Sequence, residues 1–211
     1  MPFEPTPLAL SIAALLAYLV GSIPFGLIIT RLGGAGDVRN IGSGNIGATN
    51  VLRTGRKGLA LATLICDGGK GAVAVLVARW AFAPDFSAVA AALCGAAAFF
   101  GHIFPLYLKF KGGKGVATFF GVMLAIAWPV GVLCAATWLA AAYLSRYSSM
   151  GALSAAALGP IYALLLHQPR AVVALALVLA VVIYVRHHEN IRRLLAGEES
   201  KIGGSKRKPA A

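Results

Sequence analysis

The chain has 211 residues, of which 59% are hydrophobic and only 12% are charged. A soluble domain is about half apolar and roughly a quarter charged, so this composition excludes an ordinary soluble protein. The 19 Lys and Arg residues exceed the 7 acidic ones and give a formal charge of +12. They lie in short loops between apolar runs, which argues against a nucleic-acid-binding domain and is typical of membrane topology.

The apolar runs predict transmembrane helices. A helix that crosses the hydrocarbon core needs about 20 apolar residues. Three runs qualify, at residues 8–29, 59–78 and 88–108, and two shorter ones cover residues 152–166 and 171–185. The first run lacks the basic start of a signal peptide and exceeds its apolar length, so we expect it to remain as the first span.

The stretch from residue 116 to residue 145 carries no charge. As one helix it would extend about 45 Å, too long for a core of about 30 Å. The Trp-Pro-Val-Gly sequence at residues 128–131 predicts a break. Two short helices here place 16 of the 19 basic residues on one side, opposite Arg79 and Arg170. The positive-inside rule then predicts an all-α bundle of seven transmembrane helices, with the N-terminus outside and the C-terminus in the cytoplasm.

We expect a single membrane domain over residues 1–200, followed by a basic, disordered cytoplasmic tail over residues 201–211. No Cys-x-x-Cys spacing or His/Cys/carboxylate cluster indicates a metal, so we expect neither a metal nor a cofactor. The cysteines are interpreted as small apolar packing residues; they are Cys66, Cys94 and Cys134.

The first polar loop, residues 39–53, alternates glycines with Ser, Asn and Thr between flanking arginines. Glycine lets successive backbone N–H groups converge on an anion, and an arginine offers two parallel donors to a phosphate. A polar connector rich in turn residues is the alternative, but a connector needs no such density of donors. The candidate ligands are Gly42, Ser43, Gly44, Asn45, Gly47, Thr49, Asn50 and Arg53.

The second polar region, residues 101–118, interleaves lysines and glycines where the chain enters the next predicted span. A glycine-rich turn before a helix attracts anions, because the first N–H groups and the helix dipole point at it. It is not a Walker A loop, since Leu108 and Gly115 replace the required residues. A basic loop anchored at the membrane surface is the alternative. The candidate ligands are His102, Lys111, Gly112, Gly113, Lys114, Gly115 and Thr118.

The third polar region, residues 186–199, follows the last predicted span. His187 and Asn190 are three residues apart and share a face if the helix continues. A histidine at the membrane interface is either a general base or phosphate ligand, or simply a solvated residue. Glu199 is equally well explained by a salt bridge to a neighbouring loop.

Two opposite charges, Asp67 and Lys70, lie inside the second predicted span. Charges there are costly, so we expect these side chains to pair inside the bundle, with a direct substrate role as the alternative. A transporter of organic phosphates is the competing function, because basic loops also form entry vestibules. The chain has no visible internal repeat and few polar residues at mid-membrane, which argues against it.

Taken in order, these motifs resemble the acyl-phosphate-dependent glycerol-3-phosphate acyltransferases of bacterial inner membranes. The resemblance covers nearly the whole chain and rests on five motifs. They are Gly-Ser-Ile-Pro-Phe-Gly at 21–26, Gly-Ser-Gly-Asn at 42–45, the Asp67–Gly71 segment, Gly-His-x-Phe-Pro with Gly-Gly-Lys-Gly at 101–115, and Arg-His-x-x-Asn-Ile at 186–191, in which His188 and Glu189 fill variable positions.

The resemblance implies a multi-pass inner-membrane enzyme of phospholipid biosynthesis with its active site at the cytoplasmic face. It implies transfer of a fatty acyl group from acyl phosphate to the 1-hydroxyl of sn-glycerol 3-phosphate, giving lysophosphatidic acid and phosphate. The expected partners are these two substrates and the lipid bilayer, with no nucleic acid and no obligate protein partner.

The same resemblance implies roles for individual residues. The glycine run at 112–115 is expected to hold glycerol phosphate, and Glu199 to support the structure. An acyl phosphate is already activated, so the site needs no protein nucleophile and acts mainly by positioning. The base is His187 or the donor phosphate, and our hypothesis is that His187 acts mainly by hydrogen bonding. The expected catalytic residues are Ser43, Arg53, Lys114, His187 and Asn190.

Overall fold

The computed structural model describes residues 5–203, which fold into ten α-helices with two short 3-10 turns. The predicted all-α class is confirmed, whereas residues 204–211 of the predicted tail lie outside the described part of the chain. In chain order the helices are α1 (Pro7–Gly21), α2 (Phe25–Leu32), α3 (Ala48–Leu52), α4 (Lys57–Ala81), α5 (Pro84–Ile103), α6 (Val116–Ile126), α7 (Trp128–Ser145), α8 (Ser148–Leu165), α9 (Arg170–Arg186) and α10 (His188–Leu195).

Five stretches are long and apolar enough to cross a membrane: α1 with α2, then α4, α5, α7 and α8. Helix α9 bends by 60° into α10, and this pair makes a sixth candidate. Helix α6 is apolar but has only 11 residues. At 1.5 Å per residue it is about 16 Å long, roughly half of the hydrocarbon core. The structure therefore contains five or six candidate spans, and the short α6 accounts for the difference from the predicted seven.

The first predicted span is not one continuous helix, because it divides into α1 and α2 at Ser22–Pro24. Pro24 has no N–H to continue the helical hydrogen bonding. The break exposes the carbonyl of Ile23 inside the bundle, and Nζ of Lys70 donates to it at 2.9 Å. A buried charge thus stabilises the interruption.

The predicted break near Trp128 is confirmed, since α6 ends at Ile126 and α7 begins at Trp128. Helix ends leave carbonyls without partners. Here Nη1 of Arg79 lies 3.3 Å from the carbonyl oxygens of Ala125 and Ile126. The arginine at the end of α4 therefore caps the end of α6.

Helix α6 runs beside α4 in the same direction. A Cβ atom at Gly121 would overlap the carbonyl of Gly68, so the two backbones are in direct contact. The hydroxyl of Thr118 donates to the carbonyl of Asp67 at 2.9 Å. Since Asp67 lies about ten residues into α4, α6 begins about 15 Å along that helix. The loop that precedes α6 therefore descends into the bundle.

Two separate apolar cores hold these elements. The larger one joins α1 and α4–α9 around fully buried side chains such as Phe99 and Phe119. A second, small core lies beneath the first polar loop and fixes it against α2 and α4. Its buried residues are Leu27, Val38, Ile46, Val51 and Ala60.

Candidate active site

The first polar loop is folded around the buried side chain of Asn50. Its Nδ2 donates to the carbonyls of Val38, Ile41 and Asn45 at 2.8, 2.9 and 2.8 Å. Its Oδ1 accepts from the amide and the hydroxyl of Ser43, at 3.0 and 3.3 Å. These bonds occupy both ends of the amide, so Asn50 shapes the loop, while Ser43 stays at its exposed surface.

Arg53 and Thr49 extend from this loop to distant parts of the chain. Nη2 of Arg53 donates to Oγ of Ser200 at 2.5 Å. The hydroxyls of Thr49 and Ser148 share a hydrogen bond of 3.1 Å. The first polar loop is thereby attached both to the C-terminal segment and to the turn between α7 and α8.

The glycine loop, residues 112–115, folds back onto the end of α5. The amides of Gly112 and Gly113 donate to the carbonyls of Ile103 and His102, both at 3.1 Å. A Cβ atom at Gly113 would overlap the imidazole of His102, so the loop lies directly on that ring. Two of the amides predicted to bind an anion are thus used by the loop itself.

Gly115 makes the sharp turn from this loop into α6. Its φ is 84°, in the left-handed region that favours glycine, and the ring of Phe99 leaves no room for a side chain. The first N–H groups of α6 have no partner within the helix and, with its dipole, favour an anion near Lys114. The hydroxyl of Thr118 does not face that space freely, because it is bonded to α4.

Lys114 belongs to a chain of hydrogen bonds that we call the loop-to-tail network, made of Lys114, Ser149, Asn190, Arg193 and Glu199. Nζ of Lys114 donates to Oδ1 of Asn190. Nδ2 of Asn190 and Oγ of Ser149 donate to Oε1 of Glu199 at 2.6 and 2.9 Å. Nε of Arg193 donates to Oε2 of Glu199 at 2.7 Å. The network joins the glycine loop to α8, α10 and the C-terminal segment.

Two of the three charged groups of this network, Lys114 and Glu199, have shifted pKa values. Burial, reinforced by the charge of Arg193, lowers the pKa of Lys114 to about 8. Burial opposes ionisation of Glu199, but hydrogen bonds from Asn190, Arg193 and Ser149 outweigh it and hold the pKa of Glu199 below its usual value. At neutral pH a lysine cation and a carboxylate therefore lie at opposite ends of Asn190.

His187 lies at the bend between α9 and α10, so it does not share a continuous helix with Asn190. Both side chains are nevertheless buried. Nδ1 of His187 is 2.8 Å from the carbonyl of Ile183. Because a carbonyl only accepts, Nδ1 carries the hydrogen and Nε2 remains an acceptor. Burial lowers the pKa of His187 to about 4, so the ring is neutral at physiological pH.

The predicted pairing of Asp67 with Lys70 is confirmed, and His102 completes what we call the interior ion cluster. Nζ of Lys70 lies 2.8 Å from Oδ1 of Asp67. Nδ1 of His102 lies 3.6 Å from the same oxygen, too far for a hydrogen bond. Within residues 5–203, neither Oδ2 of Asp67 nor Nδ1 of His102 has a hydrogen-bond partner. Through the imidazole of His102, the cluster contacts Gly113 of the glycine loop.

A cleft of about 460 Å³ opens between the first polar loop and residues 108–112. Nε and Nη2 of Arg186 donate to the carbonyls of Gly113 and Gly112 at 3.3 and 3.4 Å. The same guanidinium lies over the ring of Phe104, 5.9 Å from its centroid. All four charged residues of the lining are basic; they are Arg39, Lys109, Lys111 and Arg186.

The three polar regions, distant in sequence, thus meet in the fold. The bond between Arg53 and Ser200 brings the first loop next to Glu199, and Lys114 brings the second region to the third. The sequence motifs pointed to these segments but not to every residue in them. Arg39 and Arg186 stand at the ends of two motifs and Arg193 lies in the third polar region, so the sequence offered a signal for all three. Ser149 and Ser200 lie outside the three regions, and no sequence pattern pointed to them.

Comparison with known proteins identifies relatives along almost the whole chain. The sequence model of the family described as glycerol-3-phosphate acyltransferase matches residues 11–197. A glycerol-3-phosphate acyltransferase from Caulobacter vibrioides is 62% identical over 203 residues, 96% of this chain and 91% of its own length. One from Rhodospirillum rubrum is 58% identical over 205 residues, 95% of this chain and 94% of its own.

Two solved structures have the same fold. Both are of PlsY (YgiH), an integral membrane glycerol 3-phosphate acyltransferase, one in its glycerol 3-phosphate form and one in its lysophosphatidic acid form. Their TM-scores are 0.85 and 0.84, at 36% and 35% identity, and each match covers 92% of this chain and 95% of the other. The family resemblance drawn from the five motifs is confirmed.

Proposed function

The chain belongs to the glycerol-3-phosphate acyltransferase family, and from this premise we propose that its acyl donor is an acyl phosphate. It is an acyltransferase that acts on glycerol 3-phosphate in phospholipid synthesis. In the proposed reaction a fatty acyl group moves from acyl phosphate to the 1-hydroxyl of sn-glycerol 3-phosphate. The products are lysophosphatidic acid and orthophosphate.

The observation that carries this proposal is the meeting of the three polar regions. Lys114 lies at the N-terminus of α6, held by Asn190, and Arg53 approaches the same network through Ser200. Cationic side chains and helix-terminal amides suit phosphate groups and the charge that develops on the reacting carbonyl. We assign catalysis to Ser43, Arg53, Lys114, His187 and Asn190.

The chemistry needs no covalent enzyme intermediate. The 1-hydroxyl oxygen attacks the carbonyl carbon of the acyl phosphate, and the bond from that carbon to the phosphate oxygen breaks. Orthophosphate leaves with the bonding electrons, and the hydroxyl proton passes to a base. Because the anhydride is already activated, the site acts by holding both reactants in contact and by stabilising the oxyanion.

His187 fits the role of hydrogen-bond acceptor better than that of the base. Its Nδ1–H is held by the carbonyl of Ile183, which leaves Nε2 to orient the substrate hydroxyl. A pKa of about 4 makes the ring a weak base, so we assign the proton to the donor phosphate. If His187→Ala abolished turnover while both substrates still bound and the fold stayed intact, catalysis by His187 as the base would be the better account.

We also propose a topology of seven crossings in a bacterial inner membrane, with the N-terminus outside and the site at the cytoplasmic face. Helix α6 is the additional, half-length crossing, completed by the glycine loop before it. The supporting observation is the charge distribution, since 16 of the 19 basic residues then lie on one side. Accessibility labelling of single cysteines at Ser43, Lys114 and His187 tests it, because all three must be reached from the same side.

The central experiment supplies labelled glycerol 3-phosphate and palmitoyl phosphate to the purified protein in lipid. Labelled lysophosphatidic acid is expected, and acyl-CoA or acyl carrier protein as donor should give little or none. Activity with acyl-CoA equal to that with acyl phosphate would overturn the donor assignment. In proteoliposomes, uptake of label without product would favour the transporter. Ser43→Ala with full activity would contradict the proposed site.

A further inference from the structure

The basic cleft lies outside the loop-to-tail network. None of the five proposed catalytic residues lines it. We propose that this cleft is an outer phosphate site, which captures the dianion of a soluble reactant: incoming glycerol 3-phosphate or departing orthophosphate. It shares Gly44, Lys111 and Gly112 with the predicted substrate ligands and adds Arg39, Lys109 and Arg186. The inference rests on the proposed function for the identity of these anions, but the site itself rests on the geometry of the cleft.

Arg39 is already held in place for such an anion. Its Nε and Nη2 donate to the carboxylate of Asp37 at 2.9 and 2.6 Å, and Arg31 donates to the same carboxylate at 3.2 Å. The bonds from Arg39 hold the pKa of Asp37 well below its usual range. A guanidinium has five N–H donors, so Arg39 keeps others for a ligand and loses less side-chain entropy on binding.

The opposite wall is also preformed. Arg186 is held by two carbonyls of the glycine loop and by the ring of Phe104. Lys109 and Phe110 both have positive φ, 52° and 63°, which is rare for two successive residues other than glycine. Backbone strain of this kind persists where surrounding structure enforces it and is concentrated at functional sites. Here it holds the turn that contributes Lys109 and Lys111 to the cleft.

Each polar loop contributes residues both to the cleft and to the neighbouring catalytic residues. In the first loop, Gly44 lines the cleft, whereas a Cβ atom at Gly42 would lie 2.7 Å from Cδ of Arg53. In the second, Gly112 lines the cleft, whereas Lys114 bonds to Asn190 of the loop-to-tail network. An anion in the cleft would therefore lie next to the proposed catalytic residues.

Size and charge both suit a small anion. The volume of about 460 Å³ is in the range of small-molecule sites. Lys109, Lys111 and Arg186, together with Arg39 paired to Asp37, leave a net positive charge at the cleft, which raises the rate of capture of anions from water. A reaction that consumes one soluble phosphate ester and releases orthophosphate has a use for such an entrance.

The test measures binding of orthophosphate to the full chain in phosphatidylcholine nanodiscs, by isothermal titration calorimetry without any acyl donor. Wild type should bind orthophosphate at the cleft and at an inner site formed by Arg53 and Lys114. Arg39→Gln should weaken the cleft component about tenfold, as expected for loss of a charge-assisted bond, and Lys109→Gln should weaken it in the same direction. Arg53→Gln should instead weaken the inner component.

Two matched controls remove the same charge elsewhere. Arg192 is exposed on α10 and Lys57 is exposed at the start of α4. Arg192→Gln and Lys57→Gln should change the cleft component less than twofold. Equal weakening by cleft and control variants, or no effect of Arg39→Gln and Lys109→Gln, would overturn the proposal.

A second arm identifies the source of the phosphate. The same titration with sn-glycerol 3-phosphate should be weakened by Arg39→Gln if the cleft captures the incoming substrate. Weakening with orthophosphate alone would assign the cleft to the departing product. Failure of the proposed function is distinguishable, since absence of turnover with acyl phosphate would leave both binding results unchanged.

Discussion

The interior ion cluster and the loop-to-tail network are both charged, but they differ in access to water and in how completely their atoms are bonded. The side chains of Asp67 and Lys70 are 1% and 2% exposed, and one carboxylate oxygen of Asp67 has no partner among the described residues. In the network both oxygens of Glu199 are bonded, and Arg193 remains 35% exposed.

This difference separates two uses of charge in one membrane protein. A buried ion pair must keep both of its charges, because a single unpaired charge in an apolar interior is very costly. Charges near water tolerate change better, so their arrangement serves the orientation of reactive groups. We therefore expect the interior ion cluster to govern stability and the loop-to-tail network to govern turnover.

The largest expected effect comes from removing one partner of the interior pair. Lys70→Met leaves the Asp67 carboxylate buried without its cation and removes the bond to Ile23. We expect a loss of about 3–5 kcal/mol in the free energy of unfolding. Denaturation of the protein in lipid nanodiscs measures it.

The double variant Asp67→Asn/Lys70→Met is the matched control, because it removes both charges. It should recover much of the lost stability. If Lys70→Met were as stable as wild type, the ion pair would be dispensable and the interior ion cluster would not govern stability.

The second variant addresses the network. Glu199→Gln keeps the shape of the side chain but removes the charge of the carboxylate that accepts hydrogen bonds from Asn190 and Arg193. We expect kcat/KM to fall about a hundredfold, near 3 kcal/mol, because Asn190 no longer orients Lys114. The free energy of unfolding should fall less in Glu199→Gln than in Lys70→Met. A larger fall in Glu199→Gln would contradict the assignment of stability to the interior ion cluster and of turnover to the loop-to-tail network.

The third variant alters the contact between the glycine loop and the interior ion cluster. Gly113→Ala forces a methyl group against the buried imidazole of His102, which belongs to the interior ion cluster. Overpacking of this kind costs about 2 kcal/mol, so the glycine loop should shift and kcat should fall. The control Gly58→Ala adds a methyl group where no atom of residues 5–203 lies within 4 Å, and it should leave kcat unchanged.

The smallest effect is a dependence on pH. The pKa of Lys114 is lowered from 10.5 to about 8, so the folded protein loses this proton before the unfolded chain does. The KM for glycerol 3-phosphate should rise as pH passes through about 8. Substrate binding should thus weaken as pH rises, whereas the stability of the fold should increase between about pH 8 and 10.5, because the unfolded state binds more protons there.

Lys114→Arg sharpens this prediction. Arginine stays charged throughout the range, so the rise in KM should disappear or move to much higher pH. An unchanged pH profile in Lys114→Arg would show that another group titrates. Measuring KM and the thermal midpoint over the same pH series separates the two effects.

Much of the fold was predictable because a bilayer forces each crossing segment to satisfy its own backbone, so apolar length locates most of the long helices. It did not predict the division of the first run into α1 and α2, or the short helices α3 and α10. The break before Trp128 followed from a proline and a glycine within an overlong run. The pairing of Asp67 with Lys70 followed from helical spacing, because residues three apart share a face. The five motifs identified the family and the three segments that form the site.

Tertiary structure decided how those segments are used. Asn50 looked like a ligand, yet its bonds to three carbonyls make it the centre of its loop. The partners of Arg53 and Glu199 lie 147 and 50 residues away, at Ser200 and Ser149. The sequence determined local order because helical hydrogen bonds join residues close in the chain. Contacts between distant polar groups depend on how the helices pack, which no local pattern encodes.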